Sequence, residues 1–253
     1  MSLRLTGPCV VMGLLLTTSA TVSGQEVQVV EIPTRDGHSL GGRVYGAAVG
    51  SRSYGALLLN MCSREHFQDE WQGLASELRG RGLVVLTYDY RGTGTSASKL
   101  WNLQNEAQVR QLTELLSPDA EDAFQYLRTE VERVVAIVGG SCGGSLALDL
   151  AATNPEVRRV AVLSGGANDK VSDYLRSSGS AAVLGIASRD DAAALDATRD
   201  AVSRASHAES SMITLDNAGH GTRMLGAVEG LSARIADWIV SEFAGAAQET
   251  KAK

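Results

Sequence analysis

The sequence predicts an α/β protein built on one mostly parallel, eight-stranded sheet with helices on both faces. Three observations carry the prediction. Short runs rich in Val, Ile and Leu recur along the chain, segments with helical apolar spacing separate most of them, and 253 residues at 44% hydrophobic content suffice to bury one sizeable core. Such alternation marks parallel strands, because a parallel neighbour is reached only through a long connection that crosses and covers the sheet.

Taken in order, Val27 to Ile32 and Leu40 to Tyr45 flank the turn Arg35-Asp-Gly37 and read as a hairpin. Strands follow at Ala56 to Asn60, Val84 to Asp89, Val134 to Val138, Val160 to Leu163, Ala182 to Ala187 and Met212 to Leu215. Helical spacing covers Trp71 to Arg79, Asp119 to Thr129, Gly144 to Ala152, Leu195 to Ala205 and Ala227 to Phe243. Ser117-Pro-Asp-Ala opens the second of these helices, with a capping residue and then proline at the first helical position, where no N–H is needed. The connection from Thr93 to Leu116 is longer than a compact fold requires. It holds Trp101 and the helix-like Glu106 to Leu116, and it is either a roof over a pocket or a surface excursion. No internal repeat is visible.

Arg4, the apolar stretch Val10 to Leu16 and the small polar run Thr17 to Gly24 read together as an export signal over residues 1–24, with Val22-Ser-Gly24 as the cleavage site. That stretch is too short to span a bilayer, and no later segment reaches about eighteen apolar residues, so no permanent membrane span is expected. One catalytic domain is expected over residues 25–243, and the tail 244–253, which lacks apolar periodicity, is expected to fray. A net charge of -6 with both signs interspersed offers no basic stripe to nucleic acid, which leaves a small neutral or polar substrate. Of three cysteines, Cys9 falls in the leader, leaving Cys62 and Cys142. Two cysteines make no disulfide framework, and the absence of Cys-x-x-Cys argues against thiol redox chemistry.

The chemistry concentrates at Gly139-x-Ser141-x-Gly143, set between the Val134 strand and the following amphipathic helix. A serine on a tight strand-to-helix turn takes a strained backbone conformation, so the residues two before and two after it must be small. The turn lifts the hydroxyl to the strand's end and aims the first helical N–H groups at a developing oxyanion. Gly140-x-Cys142-x-Gly144 satisfies the same rule but inserts an extra glycine before the turn, so Ser141 is the favoured nucleophile. A serine needs a base, and that base needs an orienting group. Among four histidines, His220 lies in the glycine-flanked Asn217-Ala-Gly-His-Gly-Thr222 after the last strand, whereas His38 sits in the hairpin turn and His207 precedes a strand. His66, in the loop after the Ala56 strand, is a second approach to the pocket. For the acid, Ser188-Arg-Asp-Asp191 directly follows a strand and Asp191 is the choice; Asp190 points elsewhere, and Asp169 is a weaker substitute position. An aspartate in such a place is usually a helix cap. The accompanying elbow and histidine loop raise Asp191 above that reading.

Ala56-Leu-Leu-Leu-Asn60, Asp89-Tyr-Arg-Gly-Thr-Gly-Thr-Ser96, Val138-Gly-Gly-Ser-Cys-Gly-Gly144, Ser188-Arg-Asp-Asp191 and Gly219-His-Gly221 together resemble the α/β-hydrolase superfamily over nearly all of the chain beyond the leader. The order Ser141, Asp191, His220 is that superfamily's order. The resemblance implies the α/β-hydrolase fold and a serine hydrolase of esters, thioesters, lactones or amides. Ser141 would attack, His220 would act as general base and Asp191 would hold the imidazole, with no metal or organic cofactor. About sixteen residues separate Ser164 from the next strand, where many relatives insert a helical cap, so the chain resembles the compact dienelactone hydrolase group. The resemblance also implies an oxyanion hole with one N–H from Cys142 and another from Met61 or Cys62. Relatives usually carry His-Gly where this chain has Asn60-Met61-Cys62, and a glycine where it has Ser188.

In this fold the residue after the nucleophile and the loop after the third strand converge on one oxyanion. Cys62 and Cys142 therefore come within reach of a disulfide, which an oxidising compartment permits. The expected partner is a small-molecule acyl substrate and the expected location periplasmic or secreted. Trp101, Leu103, Leu112, Leu115 and Leu116 either point to a hydrophobic acyl or aryl group or pack their helix onto the domain. Acyl transfer and peptide hydrolysis use the same machinery. The competing class is a non-catalytic binding protein on this fold, against which the intact Ser, Asp and His speak.

Overall fold

Strands that are apolar at nearly every position have no face to give to water, so helices must cover both sides of their sheet. The computed structural model, which describes residues 27–46, 53–62, 66–97, 105–177 and 179–249, has this arrangement. Its strands are β1 (Val27–Pro33), β2 (Ser39–Tyr45), β3 (Tyr54–Leu59), β4 (Leu83–Tyr88), β5 (Arg133–Gly140), β6 (Arg159–Leu163), β7 (Ala182–Ser188) and β8 (Ser211–Leu215). They form one sheet in the order β1-β2-β4-β3-β5-β6-β7-β8. β1 and β2 are an antiparallel hairpin, with Val30 opposite Gly42, and β2 runs antiparallel to β4. Every pairing from β4 through β8 is parallel. All six residues of β4 and all seven of β7 are buried, as a doubly covered strand requires.

The helices are α1 (Gln72–Gly80), α2 (Glu106–Glu130), α3 (Cys142–Thr153), α4 (Asp169–Arg176), α5 (Ala192–Arg204), α6 (Arg223–Ala227) and α7 (Leu231–Glu249). On one face of the sheet, Leu74 and Leu78 of α1 and Leu231, Ile235 and Ile239 of α7 pack with Trp71 against Leu58, Val85 and Val138. On the other, Phe124 and Leu127 of α2, Leu148 of α3 and Leu175 of α4 pack against Leu57, Ile137 and Val160. The chain leaves β3 for β4 on one side and returns to β5 on the other, so β3 and β5 flank a topological switch point. Their C-terminal ends open the crevice where such sheets place ligands.

Three boundaries differ from the sequence reading. Ser117 and Pro118 do not start a helix: α2 begins at Glu106, capped by Asn105, whose side chain accepts from the N–H groups of Ala107 (2.9 Å) and Gln108 (3.2 Å), and the proline lies inside it. An interior proline costs about 3 kcal/mol. Burial of Phe124 and Leu127, at roughly 2 kcal/mol each, offsets that cost. α4, unforeseen in the sequence, is capped by Asn168, which accepts from Val171 N–H at 3.1 Å. The last helix starts at Leu231 instead of Ala227 and its backbone continues to Glu249, into the tail expected to fray. The leader 1–24, Trp101 and Leu103 lie outside the described residues. Among the described residues, no helix is long and apolar enough to cross a membrane.

Candidate active site

Ser141 stands between β5 and α3 with φ 55° and ψ -122°, a conformation that costs a residue with a Cβ about 1 to 3 kcal/mol. Its surroundings over-determine it. Ser141 N–H donates to Leu163 O at 2.8 Å, and Ser141 O accepts from Gly144 N–H at 2.9 Å. A Cβ on Gly139 would lie 2.5 Å from Gly144 N, and one on Gly143 would lie 2.6 Å from Leu59 O, so neither position admits a side chain. Of the two registers open in the sequence, the turn therefore belongs to Ser141, and Cys142 is the first residue of α3.

After β7 and β8, His220 Nδ1 lies 2.5 Å from Asp191 Oδ2. With Nδ1–H given to the carboxylate, Nε2 is left to accept a proton, and the His220 side chain is 41% exposed, so its free edge is accessible. Neighbouring groups hold this pair. The Ser188 hydroxyl donates to Asp190 Oδ1 and accepts from Ala218 N–H at 2.9 Å, while Asp190 Oδ2 accepts from Gly219 N–H at 3.2 Å. The Ser188 hydroxyl holds the Asp190 carboxyl below its ordinary value. Ser188, a departure from the usual glycine, thus ties the acid turn to the histidine loop. No hydrogen bond joins Ser141 to His220 among the described residues. The elbow and the histidine loop are nevertheless neighbours, since a Cβ on Gly140 would lie 3.3 Å from Thr222 Cγ2 and 3.5 Å from Thr222 N.

On the opposite side lies the loop after β3. Asn60, where relatives carry histidine, donates its amide to Tyr88 O and accepts from Trp71 Nε1, each at 2.8 Å. Its main-chain carbonyl accepts from the Tyr90 hydroxyl at 2.8 Å. Its polar groups are thereby engaged in fixing the loop. Cys62 and Cys142 are joined by a disulfide, with their Cα atoms 5.8 Å apart. The main-chain N–H groups of Met61, Cys62 and Cys142 have no acceptor among the described residues.

His66 does not meet Asp191. Its Nδ1 lies 2.5 Å from Glu70 Oε1, and the other Glu70 oxygen accepts from the Thr222 hydroxyl, two residues beyond His220. Glu70 and Thr222 are missing from the sequence reading, whose one available signal was the four-residue spacing of His66 and Glu70. His38 lies in the β1–β2 turn, and His207 Nδ1 accepts from Glu209 N–H ahead of β8. Asp169 is in the first turn of α4. Leu112, Leu115 and Leu116 are half-buried on α2, and Leu116 packs against the core. Among the described residues, no group of three or more His, Cys, Asp or Glu side chains is placed to hold a metal ion.

Residues 64–189 match the family described as serine aminopeptidase, S33. No curated protein matches the sequence. Among solved structures, a dienelactone hydrolase from Anabaena variabilis is similar, at 20% identity over 86% of this chain and 98% of that one, with a TM-score of 0.63. The esterase domain of a Rhodothermus marinus protein is 18% identical over 85% of this chain and 97% of that one, with a TM-score of 0.58. A lidless α/β serine hydrolase from Xanthomonas campestris is 16% identical over 86% of this chain and 95% of that one, with a TM-score of 0.63. At these identities the likeness is one of fold. Among the described residues between β6 and β7, where a cap would stand, the one helix is the eight-residue α4.

Proposed function

We propose that this chain, a compact member of the α/β-hydrolase superfamily, is a serine hydrolase that cleaves carboxylic esters, thioesters or lactones through an acyl-enzyme on Ser141. The observation that carries the reading is the His220–Asp191 contact of 2.5 Å set beside a serine held at φ 55°. Ser164 shares such a φ (56°), so strain alone marks no nucleophile; strain at the serine of the elbow together with an oriented imidazole serves nucleophilic catalysis.

In the proposed reaction Ser141 Oγ attacks the acyl carbonyl while His220 Nε2 takes its proton. Asp191 keeps the imidazole oriented and balances the imidazolium's charge. The tetrahedral oxyanion is received by the N–H group of Cys142 and by that of Met61 or Cys62. His220 then protonates the leaving group, and water activated by the same imidazole releases the acid. Ser141 and His220 close their hydrogen bond when substrate is seated; such contacts commonly tighten only in the loaded site. The Cys62–Cys142 disulfide supports an exported, periplasmic or secreted protein, since such bonds persist in oxidising compartments.

The test is labelling with a fluorophosphonate, followed by peptide mapping and an ester, thioester and lactone panel. Ser141 is expected to be the labelled residue, and Ser141→Ala to lose both label and turnover. A folded protein that takes no label would move the weight to a non-catalytic binding protein. The match to a serine aminopeptidase family favours peptide hydrolysis as a second reading. Aminoacyl arylamides in the same panel separate it, since that reading requires them to be cleaved faster than esters of similar size.

A further inference from the structure

We propose that the Cys62–Cys142 disulfide positions the oxyanion hole, so that turnover depends on this bond remaining oxidised. The inference rests on the serine-hydrolase reading above. Cys142 itself carries one donor N–H, and the other comes from Cys62 or from Met61 directly before it, so the disulfide joins both donor segments. The two segments are 80 residues apart in sequence, yet the bond sets their Cα atoms at 5.8 Å, across the switch point between β3 and β5. Cys142 is fixed by the first turn of α3. Met61 lies between Asn60, pinned by three hydrogen bonds, and Cys62, pinned by the disulfide. Opening the disulfide leaves the Met61 main chain with no covalent tether across the crevice, held only by Asn60 and by its own buried side chain against Gly140 and Gly221. An oxyanion donor acts only within a few tenths of an ångström of its working distance, so a loop loosened on one side forfeits much of the stabilisation.

A dithiol opens the bond by two exchanges. The reductant's two S–H groups become its own disulfide, two electrons and two protons pass to the protein, and Cys62 and Cys142 end as thiols.

The experiment compares oxidised protein, protein reduced with dithiothreitol, reoxidised protein, and the Cys62→Ala/Cys142→Ala double variant. For each we would measure kcat and KM on p-nitrophenyl acetate and the rate of fluorophosphonate labelling. Circular dichroism gives each form's melting midpoint, and all rates are taken well below the lowest one, so loss of fold is separated from loss of position. Reduction and the double variant should each lower kcat about tenfold or more and change KM by less than roughly twofold. Labelling should slow in parallel, because the phosphonyl oxygen uses the same donors, and reoxidation should restore the wild-type rate. A folded, reduced protein that turns over at the oxidised rate would overturn the inference and leave the hydrolase reading standing. So would a loss of rate that merely follows the loss of circular-dichroism signal. If the oxidised protein neither hydrolyses nor takes label, the hydrolase reading and this inference fall together.

Discussion

The turn after β7 and the loop after β8 meet the loop after β3 and the head of α3 at the strands' C-terminal ends, where Gly221 packs on Met61, and the two sides are held by different bonds. On the acid and histidine side, the Ser188 hydroxyl, the Asp190 carboxylate and the N–H groups of Ala218 and Gly219 form a mesh of hydrogen bonds around the His220–Asp191 contact. On the oxyanion side, Gly143 lets α3 pack on the main chain of Leu59 and Asn60, and a covalent bond joins Cys62 to Cys142. A mesh of hydrogen bonds fails by degrees, since removing one leaves the others. A single covalent tie is present or absent. In the proposed reaction the graded linkage lies on the side where an imidazole would turn between two proton-transfer partners, and the covalent one on the side that would present fixed donors.

The largest effect should come from breaking the first side at its centre. Asp191→Asn preserves shape but no longer holds the imidazole in the working tautomer, and kcat should fall roughly a thousand- to ten-thousandfold. A loss below about tenfold, read from initial rates, would mean that another group orients His220.

Next is the covalent side, read as stability. The disulfide closes a span of 80 residues, and its removal should cost about 4 kcal/mol in the chain-entropy account. For a domain of this size that lowers the melting midpoint by roughly 10 °C. A midpoint unchanged in the Cys62→Ala/Cys142→Ala variant would show that Gly143 packing alone holds the two segments.

The smallest effect sharpens the contrast. Ser188→Gly restores the residue usual in relatives and removes two hydrogen bonds of the mesh, at about 1 kcal/mol each and a few-fold in kcat. It also changes the response to acid. Because the Asp190 carboxyl is held low in the folded protein, its contribution is complete above its unfolded value, near ~4, and is lost as pH falls through the folded value. The wild-type midpoint should therefore fall more steeply than that of Ser188→Gly below about pH 4, a difference kept small by the exposure of Asp190. Parallel curves would mean that the hydroxyl does not set the carboxylate's affinity for its proton.

Much of this architecture was legible along the chain because burial imprints a period on each element separately. The eight apolar runs coincide with β1 to β8 within two residues at each end, and the elbow, the acid turn and the histidine loop fall at the strand ends where their motifs place them. Helix α2 was less legible. Ser117-Pro118 is a local start signal, and it was overridden by side chains further on whose burial depends on the sheet beneath them. Glu70 left only its four-residue spacing from His66 as a signal, because its hydrogen bond to Thr222 spans 152 positions.

The sequence by itself determined that Ser141 occupies a turn no bulky neighbour tolerates, and that an aspartate and a histidine follow in loops after later strands. Those are local matters of glycine, spacing and periodicity. Only the tertiary structure decided that Asp191 and not Asp190 meets His220, that His66 is taken up by Glu70, that Ser188 clasps the histidine loop and that Cys62 is bonded to Cys142. These pairings join residues brought together by the order of strands in the sheet, and no local period records which loop ends come to face one another across it.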